Sequence, residues 1–355
     1  MEKLWKNQAP FFPSFSFVPF CIKFLWWIVL GNSVAEAARP FFDSIFYFRR
    51  RKTMRHGVFA GTWYPDDSST TKRTLREFET LVPPTRQASE ASTVILPHAG
   101  WFFSGPTAWA TLRSISDAWS PEIVLLFGGH LGPASQPTVA KTDGWILGSL
   151  KLESDRELIE SLSDSSELNT DSDSRFRPDN GIELALSVLG QRFPNARYVC
   201  IGIPPSRDAL SLGKKIGTLA RTLHPSAEIL TAGSTDLTHY GPSYGFAPKG
   251  IGAQAEEWVK TENDPSFLQP LLSGQLLKAL DAAVQRGAAC CPGAAVAALE
   301  AARAVEENPE PSHQKNRKQD SDSSKPEGRI IDYRTSLWRK EGRTNDFVGY
   351  AGILF

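Results

Sequence analysis

From Met54 onward, short apolar runs alternate with amphipathic stretches, the pattern of an α/β fold with a largely buried sheet. Residues 93–96, 123–127, 198–203 and 228–232 are runs of mainly apolar character, read as central strands. Periodicity alone would fit a buried helix as well, and the shortness of the runs with their flanking glycine or proline decides for strand. A last strand is predicted over residues 348–354. Helices are predicted over residues 71–81, 181–190, 209–223, 275–285 and 293–306, the last with Ala, Leu and Val at helical spacing. The alternation persists to the C-terminus, so the expected architecture from residue 54 to 355 is a single α/β domain, a central mixed sheet flanked by helices.

Two segments break the pattern. Residues 306–327 are rich in Pro, Ser, Asp, Lys and Asn without apolar periodicity, the composition of a disordered insertion. Residues 1–53 differ from the rest: Lys3 and Lys6 precede an apolar, aromatic run over residues 11–30, and Val34-Ala35-Glu36-Ala37-Ala38 resembles a small-residue cleavage site. Lys23 lies inside that run, and a lysine at the centre of a spanning helix costs roughly 2.5–3.5 kcal/mol. A signal peptide, a weak membrane anchor and a translation start at Met54 are therefore three readings of this segment, and it is set aside from fold reasoning.

Charge and cysteine usage narrow the function classes. Thirty-nine basic residues balance 39 acidic ones, so no polyanion-binding surface is indicated and no nucleic-acid partner is expected. Membrane association is expected only if residues 11–30 act as an anchor. Cys21, Cys200, Cys290 and Cys291 are too few and too unevenly spaced for a disulfide framework, which points to a reduced, cytoplasmic body, or to an exported or anchored one if the first segment is real. Glycine-rich Phe127-Gly128-Gly129-His130 lacks the Lys-Ser/Thr of a phosphate cradle, and no dinucleotide fingerprint is present.

The chemistry concentrates in loops that follow predicted strands. Pro97-His98-Ala99-Gly100, Gly128-Gly129-His130 and Asp236-Leu237-Thr238-His239 each follow a strand, and in an open α/β sheet such loops converge on one crevice. Imidazole is the commonest metal ligand, one ring nitrogen binding the ion while a neighbour orients the other. Asp236 is placed to be that neighbour or a ligand itself. Cys290 and Cys291 precede Pro292-Gly293, where a helix begins, and a helix N-terminus favours the thiolate that binds metals; small buried thiols are the plain alternative. Asp179 reads as a helix N-cap, and Glu183, one helical turn on, either shares a face with it toward the site or is solvated. No Gly-x-Ser-x-Gly elbow frames Ser104 or Ser234.

Five segments in order carry a resemblance to the Memo family, which includes the bacterial AmmeMemoRadiSam system protein B. They are Ala60-Gly61-Thr62-Trp63-Tyr64-Pro65, Leu96-Pro97-His98-Ala99-Gly100-Trp101 with Ser104-Gly105-Pro106, Leu126-Phe127-Gly128-Gly129-His130, Ser234-Thr235-Asp236-Leu237-Thr238-His239-Tyr240-Gly241, and Cys290-Cys291-Pro292-Gly293. The resemblance implies a fold similar to the class III extradiol dioxygenases. It implies His98, His130 and Cys290 as ligands of iron or copper, with Asp236 and His239 as further pocket residues for proton transfer, and the thiolate admits zinc. The chain departs from the family pattern at Asn180 and Phe59, where histidines are usual, at Phe127-Gly128-Gly129, where Gly-Pro-Ser is usual, and at Cys291, where glycine usually follows the cysteine.

The function so implied is a metal-dependent redox protein or oxidoreductase. The competing class is a non-enzymatic protein that recognises a peptide or protein partner through the same pocket. Expected partners are a small-molecule or peptide ligand and, by association of bacterial relatives, radical SAM and AMMECR1-like proteins.

Overall fold

The computed structural model describes residues 52–82, 91–171, 177–307, 328–339 and 345–355. The apolar N-terminal segment and the insertion predicted at 306–327 lie, but for residues 52, 53, 306 and 307, outside the described residues. Thr53–Phe355 makes up one compact unit.

Its strands are β1 (Met54–His56), β2 (Thr93–Leu96), β3 (Ile123–Gly128), β4 (Thr138–Ala140), β5 (Gly144–Leu147), β6 (Leu150–Ser154), β7 (Asn169–Asp171), β8 (Arg197–Gly202), β9 (Ile229–Ser234), β10 (His239–Tyr240), β11 (Arg329–Thr335) and β12 (Phe347–Leu354). The helices are α1 (Ser68–Leu81), α2 (Trp101–Arg113), α3 (Arg156–Ser163), α4 (Asn180–Arg192), α5 (Asp208–Leu223), α6 (Ala253–Trp258), α7 (Asp264–Leu272), α8 (Leu276–Arg286) and α9 (Pro292–Glu307). Along the sheet the strands run β1-β5-β6-β8-β3-β9-β2-β12-β10. The centre, β6-β8-β3-β9-β2, is parallel, while β12 runs antiparallel to β2 and β5 antiparallel to β6, so the sheet is mixed as expected.

Each predicted strand and helix is present, with ends shifted by one to a few residues. The central strands read as unbroken apolar runs because both faces are covered. On β3, Ile123, Leu125 and Phe127 face a layer built from α3, α5, α7, α8 and α9, while Val124 and Leu126 face α1, α2 and α4. Between α5 and α9 the backbones nearly touch: a Cβ on Gly213 or Gly217 would collide with the carbonyls of Ala297 and Ala301.

Helix α2 was not legible in the sequence. The nine residues from Ser104 through Leu112 are all buried, so the helix has no polar face and no apolar period survives. Pro106 also sits inside it, where it can donate nothing to the carbonyl of Phe102. The Nε of Arg339 donates to that carbonyl at 3.0 Å, and the Trp338 indole donates to Phe103 O at 3.0 Å, so the C-terminal segment satisfies what the proline leaves open. Gly105 is required there because a side chain would strike the ring of Phe78 on α1. This packing sets α2 directly behind the loop that carries His98.

Candidate metal centre

Strands β3, β9 and β2 are parallel neighbours, so their carboxyl ends reach one edge of the sheet and the loops beyond them meet. Leu96 leads through Pro97 to His98, Gly128 through Gly129 to His130, and Ser234 through Thr235 to Asp236 and His239. The Gly128-Gly129 pair has a steric cause. A Cβ on Gly128 would lie 2.6 Å from the carbonyl of Gly181 at the start of α4, and Gly129 turns with φ +88°, a left-handed conformation suited to glycine. Cys290 enters from a fourth direction, immediately before α9. Its N–H donates to Asp236 O at 3.1 Å, and Ala289 bridges to Leu237, so the cysteine is laid along the β9 loop.

Each imidazole is oriented from behind. His98, 1% exposed, has Nδ1 2.8 Å from Ser234 Oγ and Nε2 3.2 Å from Cys290 Sγ, while its backbone N–H donates to Asp236 Oδ1 at 2.7 Å. His130 has Nδ1 2.9 Å from Asp179 Oδ1, and its N–H donates to Asp179 Oδ2 at 2.7 Å. Asp179 is the N-cap of α4, accepting from Gly181 N at 2.7 Å, and is thereby also the partner that aims His130. The two imidazole rings stand 4.9 Å apart, nearly perpendicular. Cys290 Sγ accepts the N–H of Asp236 at 3.2 Å. Donor atoms of His98, His130, Cys290 and Cys291 all lie within 4.8 Å of one another.

Asp236 and His239 stand beside this group and are not part of it. Asp236 Oδ1 is committed to His98, and Oδ2 lies 3.8 Å from His239 Nε2. That Nε2 is buried and has no hydrogen-bond partner among the described residues. Asp236 therefore holds the His98 loop through its backbone N–H, while the His98 ring is oriented by Ser234. Glu183 is not the solvated acid: it is 1% exposed, lines the cavity beside His130 together with Asp179, and accepts from Val58 N at 2.9 Å, Phe59 N at 2.8 Å and Tyr64 OH at 2.9 Å, which fastens the 57–64 loop. Of the departures from the family pattern, Asn180 donates to His98 O at 3.4 Å, and Phe59 packs on Trp63 with ring centroids 5.1 Å apart. Ser104 donates to Ala99 O at 2.9 Å within the turn that starts α2.

The electrostatics favour a thiolate among imidazolium rings. Burial works against ionisation of Cys290, yet the hydrogen bond from Cys291 and the rings of His98, His130 and His239 hold its thiol well below the usual range. Cys291 is raised in turn, first by its bond to Cys290 and then by burial. The bond to Asp179, followed by Cys290, lifts His130 to about 10. His239 also stands at about 10, burial being outweighed by Asp236 and Cys290. Burial likewise opposes protonation of His98, but Cys290 and Asp236 raise it. Protons occupy this cluster where a cation would otherwise do so, and the donor types, two oriented imidazoles with sulfur, fit a transition-metal or zinc ion.

A cavity of about 400 Å³ adjoins His130 and Asp179, walled by Arg55, Thr138, Trp145 and Asp171 among others. No helix among the described residues is long and apolar enough to cross a membrane.

The chain is similar to known proteins over much of its length. A MEMO1 family protein of Pyrococcus furiosus is 28% identical over 211 residues, covering 58% of this chain and 70% of that protein. One from Nitrosopumilus maritimus is 23% identical over 312 residues, covering 85% of this chain and 99% of its own length. An uncharacterized protein from Escherichia coli K12 overlays with a TM-score of 0.42 at 12% identity, across 75% of this chain and 100% of that one, a likeness too slight to build on. With the Memo-like protein family matching residues 55–354, the span from β1 to β12, the chain belongs to that family.

Proposed function

We propose that the protein is a metal-dependent redox protein, an oxidoreductase that holds iron or copper at His98, His130 and Cys290, with zinc as the further ion its donors accept. The observation that carries this reading is the orientation of the donors: both Nδ1 atoms are engaged, by Ser234 at 2.8 Å and Asp179 at 2.9 Å, while His98 Nε2 lies 3.2 Å from Cys290 Sγ. With Nδ1 engaged, Nε2 is the ring nitrogen left for an ion, the arrangement usual in metal-ligating histidines. Iron or copper, when bound, supplies one-electron chemistry. Asp236 keeps the His98 loop in place through the 2.7 Å bond to its N–H. His239, already protonated at neutral pH, its Nε2 without a partner and 3.8 Å from Asp236 Oδ2, is the residue suited to give a proton and take it back. The cavity beside His130 has room for a small organic ligand.

A second reading, a non-enzymatic protein that recognises a peptide, draws on exposed aromatic side chains, Phe102 at 57% and Tyr244 at 47%, the latter 5.1 Å from the His239 ring. Electron paramagnetic resonance on protein reconstituted with iron or copper separates the two. The redox reading expects a protein-bound signal that cycles with reductant and oxidant and disappears in His98→Ala. A His98→Ala variant that still binds partner normally, from a parent that shows no cycling, would favour the binder.

A further inference from the structure

Two thiols, not one, stand at this centre. We propose that Cys291 is a second sulfur ligand, so that His98, His130, Cys290 and Cys291 form a closed, four-coordinate site that selects copper(I) or zinc over iron(II); this deepens the metal reading above and rests on it.

The geometry supplies the first argument. All four donor atoms already lie within 4.8 Å of one another. Tetrahedral zinc with sulfur at about 2.3 Å and nitrogen at about 2.0 Å needs donor separations of roughly 3.3–3.8 Å, so the widest pair must close by about 1 Å. Such a closure lies within side-chain rotation.

Anchoring is the second argument. The Cys290-Cys291 step is fastened at both residues to the same loop, Cys290 N to Asp236 O at 3.1 Å and Cys291 N to Thr235 Oγ1 at 3.0 Å. Cys290 Sγ is steadied by the Asp236 N–H at 3.2 Å, and Cys291 Sγ donates to Gly129 O, the carbonyl next to His130, at 3.5 Å. Coordination would exchange that weak bond and the one to Cys290 for a bond to the ion, the thiol proton leaving to solvent.

Burial gives the third. Cys291 is 2% exposed and His98 1%, while His130 and Cys290 are partly open. Two ligands would come from the floor of the site and two from its rim, surrounding an ion from opposite sides. The N-terminus of α9, beginning at Pro292, adds positive potential beside two thiolates. The alternative is that Cys291 is simply a small apolar residue packed in the layer of α5 and α9, where it also makes contact.

The chemical consequence follows from the donor set. Two imidazoles with two thiolates suit tetrahedral zinc and copper(I), whereas a non-haem iron oxygenase site uses harder donors and keeps positions open. The departure from the family's single cysteine thus changes which ion this chain retains.

Anaerobic cobalt(II) loading tests it, with zinc affinity measured by competition against a chromophoric chelator. The parent is expected to show thiolate-to-cobalt charge transfer about twice as intense as Cys291→Ala, and zinc affinity at least ~10-fold higher. Cys291→Ser is included to preserve volume, and unloaded melting curves report whether either variant folds. Equal spectra and affinities in the parent and both variants would overturn this proposal alone, as would iron(II) held as tightly as zinc. A parent that takes up neither cobalt nor zinc, or that takes them up equally after His98→Ala and Cys290→Ser, would overturn the metal reading itself.

Discussion

Glu183 offers the sharpest test of how the site's surroundings are held. Its carboxylate, 1% exposed, accepts three hydrogen bonds from a loop more than 100 residues earlier: Val58 N at 2.9 Å, Phe59 N at 2.8 Å and Tyr64 OH at 2.9 Å. That loop in turn supports the start of α2, because Trp63 O accepts the N–H of Trp101 at 2.8 Å. Replacing Glu183 by alanine strands the buried Tyr64 hydroxyl and the Phe59 N–H, whereas Val58 is 53% exposed and its N–H can be rehydrated. Removing a buried charged partner in this way costs about 3–5 kcal/mol. Glu183→Gln is milder. Its amide oxygen can still accept from Phe59 and Tyr64, and only the bond to Val58 becomes a donor facing a donor, at a cost of about 1–2 kcal/mol. Urea unfolding of the parent and both variants measures the difference. Since Glu183 touches none of the candidate ligands, metal stoichiometry of the folded variants is expected to equal that of the parent. A glutamine variant as unstable as the alanine one, or an alanine variant within 1 kcal/mol of the parent, would refute the reasoning.

Three further outcomes are expected. Gly217→Ala should destabilise by about 1–3 kcal/mol in thermal unfolding, because overpacking against Ala301 exceeds the gain in helix propensity of at most about 1 kcal/mol; a stabilised variant would show that α5 and α9 can separate freely. Asp264 is fully buried, and burial lifts its carboxyl to about 6 despite bonds from Thr238 and Tyr333. A folded-state value above the unfolded one gives a contribution present below about pH 4 and lost as pH rises through about 6, so the stability of Asp264→Asn relative to the parent should grow by up to about 3 kcal/mol from pH 4 to pH 7, and a flat difference would contradict this. His130, raised to about 10 in the metal-free protein, carries a proton at neutral pH that an ion must displace; zinc affinity should therefore rise at least about tenfold per pH unit between pH 7 and 8, more steeply if Cys291 also gives up its proton, with measurable proton release in calorimetry, and a pH-independent affinity would exclude His130 as a ligand.

The parts of this protein that were legible in the sequence share a physical cause. Strands β3, β8 and β9 are covered on both faces, and such strands show as short apolar runs bounded by glycine or proline. Because loops after parallel strands share an edge, His98, His130 and Asp236 could be grouped without knowing strand order. The order itself, with β9 between β3 and β2, was not readable, since apolar runs carry no register. Helix α2 was hidden by its burial on all sides and by Pro106, which leaves the Phe102 carbonyl to be satisfied by Arg339, 237 residues away. Glu183 could not be told from a solvated helix-start acid, because its partners are backbone N–H groups remote in sequence. For Asp179 the N-cap reading was right as far as it went, and the bond to His130 appears only once the β3 loop and α4 meet. The family resemblance singled out Cys290, and nothing in the sequence could show that the adjacent sulfur of Cys291 also lies within 4.8 Å of both imidazole donors.

The central claim is that the edge formed by β2, β3 and β9 is a metal centre. Metal content by mass spectrometry tests it most directly, on protein purified without chelator, or reconstituted anaerobically, beside a His98→Ala, His130→Ala double variant. The account predicts close to one ion per chain in the parent and none retained by the folded variant. A parent without metal after reconstitution, or a variant that retains as much, would contradict it.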